Sequence, residues 1–145
     1  MRKTIAAIII TGLLSGCQTS DETLTTSSTS IAVTGATARA IAGDMASRLA
    51  EQVGPAGTTT LKMDKGASEY AAALEAALKG WGYTVIADGK VGKDQTPVEV
   101  AWSIDSFDGQ VLAQVSTPTI ALGRAYTATS AGATPTSPLS IMRRN

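Results

Sequence analysis

Asp108-Gly109 stands between two runs that alternate apolar and polar residues, and this arrangement restricts the fold more than any other part of the chain. Before it, Val98, Val100, Trp102 and Ile104 alternate with Glu99, Ala101, Ser103 and Asp105. A period of two is the mark of a strand with one buried face. Asp-Gly favours the two-residue type I′ turn, because both turn positions need positive φ. Folding about that turn sets Phe107 opposite Gln110, Ile104 opposite Ala113, Trp102 opposite Val115 and Val100 opposite Thr117. The apolar faces of the two strands then coincide, and a slip of one residue would turn every one of these side chains to the wrong side. Pro118 closes the hairpin, and a further strand follows over about Thr119 to Thr129, with Ile120, Leu122 and Tyr126 on one face.

Upstream the period changes. Ile41, Met45, Leu49 and Val53 recur every fourth residue, with Ala38 and Ala42 beside them, which predicts a helix from Ala36 to Val53. Thr34 or Thr37 can cap its start, Asp44 and Arg48 sit four apart on the opposite side, and Gly54-Pro55 ends it. Gly43 inside the helix leaves room for a close approach by another element. Thr58 to Asp64 alternates as a half-buried strand. Ser68 then caps a second helix lined by Tyr70, Leu74, Leu78 and Trp81, with Gly80 and Gly82 as its stop. Tyr83 to Ala87 is a short apolar strand, and a polar loop runs from Asp88 to Gln95. Helices early and a meander late predict an α+β fold, a small two-layer sandwich of two helices on a mixed sheet that ends in an antiparallel meander. The domain spans residues 36–130. Residues 131–145 read as a flexible C-terminal tail with Pro135 and Pro138. That tail is either a frayed end or, since Leu139, Ile141 and Met142 are apolar, a peptide that orders on a partner.

The N-terminus carries an address. Arg2 and Lys3 precede ten apolar-rich residues, Ile5 to Leu14. As a helix these span about 15 Å, half of a bilayer core, so the pattern is a secretory signal and not an anchor helix. Leu14-Ser15-Gly16-Cys17 resembles the bacterial lipobox. The resemblance implies cleavage between Gly16 and Cys17, a diacylglyceryl group on the Cys17 thiol, and a third acyl chain such as palmitate on the new amine. Residues 1–16 are then the signal peptide and 17–35 a lipidated tether. From Thr19 to Ser30 nine of twelve residues are Ser or Thr, a composition that cannot bury a core. Nineteen tether residues from Gln18 to Ala36 give a reach near 24 Å, at about 5.5 Å × √n. Gln18, and not aspartate, follows the cysteine; by analogy with enterobacterial lipoproteins this predicts the outer membrane, facing the periplasm.

Composition narrows the chemistry. The 145 residues contain no histidine and one cysteine, so no histidine triad, imidazole general base, histidine-ligated zinc or internal disulfide can form. Twelve basic side chains balance twelve acidic ones, which gives no basic footprint for direct nucleic-acid binding. No Ser-x-x-Lys motif occurs, and Gly54-Pro55-Ala56-Gly57 lacks the lysine and spacing of a phosphate loop. Asp105 and Asp108 flank the hairpin turn, where aspartate serves backbone geometry. Trp81 and Trp102 fall on core faces and read as packing. Arg124 shares a strand face with Leu122 and Tyr126 and is either a strand-edge charge or a partner contact, the former favoured. No catalytic residue, cofactor site, metal site or small-molecule substrate is predicted, and the chain is not expected to be an enzyme.

With the lipobox and Ser/Thr tether, the strings IAGDMASRLAEQVGP, ALEAALKGWGY, FDGQVLAQVST, LGRAYT and GATPTSPLSIM resemble the TrbH family of conjugal-transfer lipoproteins of self-transmissible plasmids in rhizobia and agrobacteria. The resemblance covers nearly all of the chain after the signal peptide. It implies an outer-membrane lipoprotein of the mating-pair-formation apparatus, a type IV secretion system, with a non-enzymatic assembly or stabilising role in plasmid transfer. Implied partners are the membrane, through lipidated Cys17, and other secretion-channel proteins. Alternative readings are an exclusion lipoprotein that blocks redundant transfer into cells already carrying the plasmid, or a general envelope-assembly lipoprotein. An enzyme acting on peptidoglycan would need a clustered acid pair, which the sequence does not display.

Overall fold

The structure, a computed structural model, describes residues 28–29, 33–64 and 66–145. The predicted signal peptide, Gly16 and Cys17, and most of the tether lie outside the described residues. In chain order the elements are β1 (Ser28–Thr29), α1 (Gly35–Ala50), β2 (Thr60–Met63), α2 (Glu69–Gly80), β3 (Thr84–Ile86), β4 (Val98–Phe107), β5 (Gln110–Ser116), β6 (Ile120–Thr129), β7 (Gly132–Pro135) and β8 (Ser140–Arg143). They form the predicted α+β arrangement: both helices pack on one face of a single mixed sheet ordered β3-β2-β4-β5-β6-β7. β1 runs parallel to β4 at Ser103 and Ile104, and β8 lies on β6.

The hairpin forms in the register that its alternation requires. Phe107 pairs with Gln110, Ile104 with Ala113 and Trp102 with Val115. Asp108 and Gly109 take φ of 52° and 74°, the double positive φ of a type I′ turn. The buried face of the meander is Val100, Trp102 and Ile104, then Val111, Ala113 and Val115, then Ile120, Leu122 and Tyr126. The opposite face exposes Glu99, Asp105, Leu112 and Gln114. β2 continues the sheet parallel to β4, pairing Leu61 with Val98 and Met63 with Val100, and β3 runs parallel to β2. β2, α2 and β3 are thus a βαβ unit, which needs a helix to carry the chain back.

α1 buries Ala38, Ile41, Ala42, Met45, Ala46 and Leu49, and α2 buries Tyr70, Ala71, Leu74 and Leu78. Each large aliphatic side chain so buried contributes about 1.5–3 kcal/mol. Ser68 caps α2 by accepting the Ala71 N–H at 3.0 Å. At α1 the cap differs from expectation. Thr34 occupies the N-cap without a side-chain bond; instead the Gly35 N–H donates to Glu69 Oε2 at 2.6 Å, and the Thr37 hydroxyl donates to the Gly132 carbonyl at 3.0 Å. The acid that opens α2 therefore also serves the positive end of α1, so the two N-termini lie together. Gly43 has nothing within 4 Å of where a Cβ would stand, so no close approach explains it.

Two expectations are corrected. Trp81 does not line the core: it is the residue after α2 and is 53% exposed. Trp81 still has helical backbone, its N–H donating to the Ala77 carbonyl at 3.1 Å, but it caps the helix and Gly82, at φ +97°, turns the chain straight after it, so the ring stands at the exposed end. The segment 131–145, predicted as a flexible tail, forms β7 and β8. β7 pairs with the far half of β6, Thr129 opposite Gly132 and Tyr126 opposite Pro135. β8 pairs with the near half, Gly123 opposite Ser140 and Ile120 opposite Arg143. The physical reason is the free edge of β6, whose backbone groups these short strands satisfy.

Candidate functional site

Polar side chains meet at three places, and each follows from the fold. The first joins α1 to β6. Asp44 Oδ2 accepts from the Tyr126 hydroxyl at 2.7 Å and from Arg124 at 3.0 Å, while Arg48 lies 3.6 Å from Oδ1. Arg124 Nε also donates to the Ser137 carbonyl at 3.1 Å, and the Ser137 hydroxyl accepts the Ala125 N–H at 2.9 Å. Burial pushes the Tyr126 phenol above its ordinary value, its bond to the Asp44 carboxylate pushes the same way, and Arg124 opposes. A phenol held neutral and donating to a carboxylate is a structural clasp. Arg124 thus binds inside the molecule, between helix, strand and the 136–139 turn, rather than standing as a bare edge charge.

The second place is a cavity of about 310 Å³ on the open face, lined by Lys62, Asp64, Glu99, Ser116, Thr117 and Arg144 among others. Its charges are mixed, and Lys62 lies 3.7 Å from Glu99. The third is a smaller, more apolar hollow of about 240 Å³ beyond the helix C-termini, where Ala50, Val53, Pro55 and Ala56 meet Trp81 and Tyr83. The Tyr83 hydroxyl donates to the Gly54 carbonyl at 2.9 Å.

None of these sets a nucleophile beside a base. Among the described residues no three His, Cys, Asp or Glu come together as metal ligands. Asp108 sits in the turn itself and Asp105 on the exposed face of β4. Trp102 is buried, with its indole N–H donating to the Asp64 carbonyl at 3.1 Å, and its ring meets Tyr70 at 5.5 Å between centroids. The predicted lipidation site, Gly16 and Cys17, lies outside the described residues. No helix of the described residues is long and apolar enough to cross a membrane.

The most exposed apolar feature of the sheet margin is β8. Ile141 is 46% and Met142 61% exposed, on a strand paired on one side only. Sequence reasoning registered these side chains as apolar but not as a strand, because their partner is β6.

The chain sets two helices on one face of a mixed sheet whose margin exposes apolar side chains. Its class is set by comparison: a family model described as conjugal transfer protein TrbH matches residues 19–145. A probable conjugal transfer protein TrbH of Sinorhizobium fredii (strain NBRC 101917 / NGR234) is 65% identical over 148 residues, covering all of both chains. The chain belongs to the TrbH family of conjugal transfer proteins. These descriptions name a transfer component and no reaction. No solved structure matches the chain.

Proposed function

We propose that the chain is a lipid-anchored, non-enzymatic component of a conjugative type IV secretion apparatus, held in the outer membrane through Cys17 and facing the periplasm, where it stabilises mating-pair formation. One observation carries the reading: in a member of a conjugal transfer family, the only cysteine follows Leu14-Ser15-Gly16 at the end of an apolar run. Acyl chains contribute about 0.8 kcal/mol of membrane affinity per buried CH₂, and two or more hold firmly. The Ser/Thr-rich stretch supplies reach, and the sheet margin supplies a docking surface.

Labelling donor cells with a fatty acid tests the anchor. The native chain is expected to take up label and Cys17→Ser is not; equal label in both overturns it. Fractionation is expected to find the native chain with outer membranes, and recovery in inner-membrane vesicles alone refutes the location. Deleting the gene from donors is expected to lower transfer and pilus assembly; unchanged transfer overturns the assembly role. Expression in recipients alone is expected to leave transfer into them unchanged, and a fall there would replace the assembly role with exclusion.

A further inference from the structure

We propose that the outer edge of β8 receives an extended segment of another transfer-apparatus subunit as an added strand, one with apolar side chains flanked by Asp or Glu. The inference rests on the assembly role proposed above and names the surface and the partner's chemistry.

Backbone, side chains and charge point to this edge together. β8 bonds to β6 on one side, and among the described residues no strand takes the other. All four of its residues are exposed. Register sets Ile141 opposite Leu122, towards the helices, and Met142 opposite Ala121, towards the open face. An added strand therefore finds apolar surface on both faces, and its backbone supplies affinity while alternate side chains supply specificity. Arg143 and Arg144 end the edge with positive charge. Among the described residues neither has a carboxylate partner within 4 Å. Arg143 donates to the Gln52 amide oxygen at 3.5 Å, and Arg144 lines the open-face cavity. Acidic residues on the added strand would complement both.

The other margins are less suited. β7 has α1 against it: the Thr37 hydroxyl bonds to the Gly132 carbonyl, and a Cβ on Gly132 would stand 3.0 Å from that of Ala40. It also ends at Pro135, which has no N–H to donate. β3 has three residues, and the hollow beside it mixes Glu75, Asp88, Lys79 and Lys90. Edge strands are commonly guarded by charge along their length; here both arginines gather at one end and leave Ser140 to Met142 open.

The test uses the full chain in donor cells, with Met142 replaced by a benzophenone-bearing residue. Irradiation is expected to join it to another transfer subunit, at a peptide carrying apolar residues with Asp or Glu within a few positions. The same residue at Phe107, 82% exposed at the hairpin tip, is expected not to join that peptide. Arg143→Glu with Arg144→Glu is expected to lower both the adduct and transfer about tenfold or more, while Arg143→Lys with Arg144→Lys keeps both within about twofold. Matching thermal melts for the purified full-length variants separate a lost contact from a lost fold. An adduct to a second copy of this chain, an adduct to its own residues 18–27, or transfer indifferent to charge reversal overturns the proposal. Gene deletion run alongside distinguishes the failures. If deletion abolishes transfer and reversal does not, only the edge assignment falls; if deletion also leaves transfer intact, the assembly role falls with it.

Discussion

Replacing Asp44 with alanine should loosen the helix from the sheet by an amount that the geometry sets. The carboxylate takes the Tyr126 hydroxyl at 2.7 Å and Arg124 at 3.0 Å on one oxygen. Tyr126 is 1% exposed, so its hydroxyl would lose its only acceptor among the described residues. An unsatisfied buried hydroxyl costs about 1–3 kcal/mol. The ion pair is partly exposed, 18% and 24% for the two side chains. Arg124 also keeps its bond to the Ser137 carbonyl, so that loss adds about 1 kcal/mol at most. Asp44→Ala should therefore destabilise by about 1–4 kcal/mol, at roughly 4 °C in Tm per kcal/mol for a body of this size. Tyr126→Phe removes the donor along with its demand and should cost about 1 kcal/mol. The double variant should then cost clearly less than the sum, with a coupling of about 1 kcal/mol or more. Asp44→Asn, which retains an acceptor oxygen, should recover part of the loss. Urea titration of the four proteins measures each quantity. Additive effects, or an Asp44→Ala cost below about 0.5 kcal/mol, would refute the clasp.

The remaining predictions concern separate contacts. Tyr70 is fully buried against Trp102, and its hydroxyl has no partner among the described residues. Tyr70→Phe should leave stability unchanged or raise it by up to about 1 kcal/mol in urea titration. Gly132 has φ +148°, with Ala40 Cβ 3.0 Å and the Ala36 carbonyl 3.3 Å from a built Cβ. Gly132→Ala should cost about 1–3 kcal/mol, visible as a lower thermal midpoint. Burial pushes the Tyr70 and Tyr126 phenols above their ordinary value. Their contribution is thus complete below the unfolded pKa, about 10, and falls as pH rises past it, by about 1.4 kcal/mol per pH unit per phenol. Urea midpoints between about pH 9 and 11 should show the decline, and Tyr126→Phe should make it shallower.

The hairpin was legible because its two signals are local: a period of two on both sides of a turn dipeptide that needs positive φ. α2 was legible for the same reason, down to the Ser68 cap. The segments hidden from a linear reading depend on distant partners. β7 and β8 have four residues each, with Pro138 between them, too little for a period to show. Their reason for being strands is the vacant side of β6. The Asp44–Arg48 spacing was visible along α1, whereas the bond from Asp44 to Arg124 spans 80 positions and no local pattern announces it. Trp81 continues the helical stripe in sequence, but it caps α2 and Gly82 turns the chain straight after it, which leaves the ring exposed. Of the candidate site, Gly16 and Cys17 rest on sequence alone and lie outside the described residues, and the proposed docking edge shows in sequence only as three apolar residues.

The strands laid against β6 also impose an order of events on biosynthesis. The stretch that finishes this margin, residues 131–145, follows the rest of the sheet in the chain, so a nascent chain holding residues only up to 130 still presents a bare row of donors and acceptors. Removing residues 131–145 to obtain a tidier fragment would recreate that half-made state permanently, with Arg124 deprived of its grip on Ser137 and the sheet ready to stick to its neighbours.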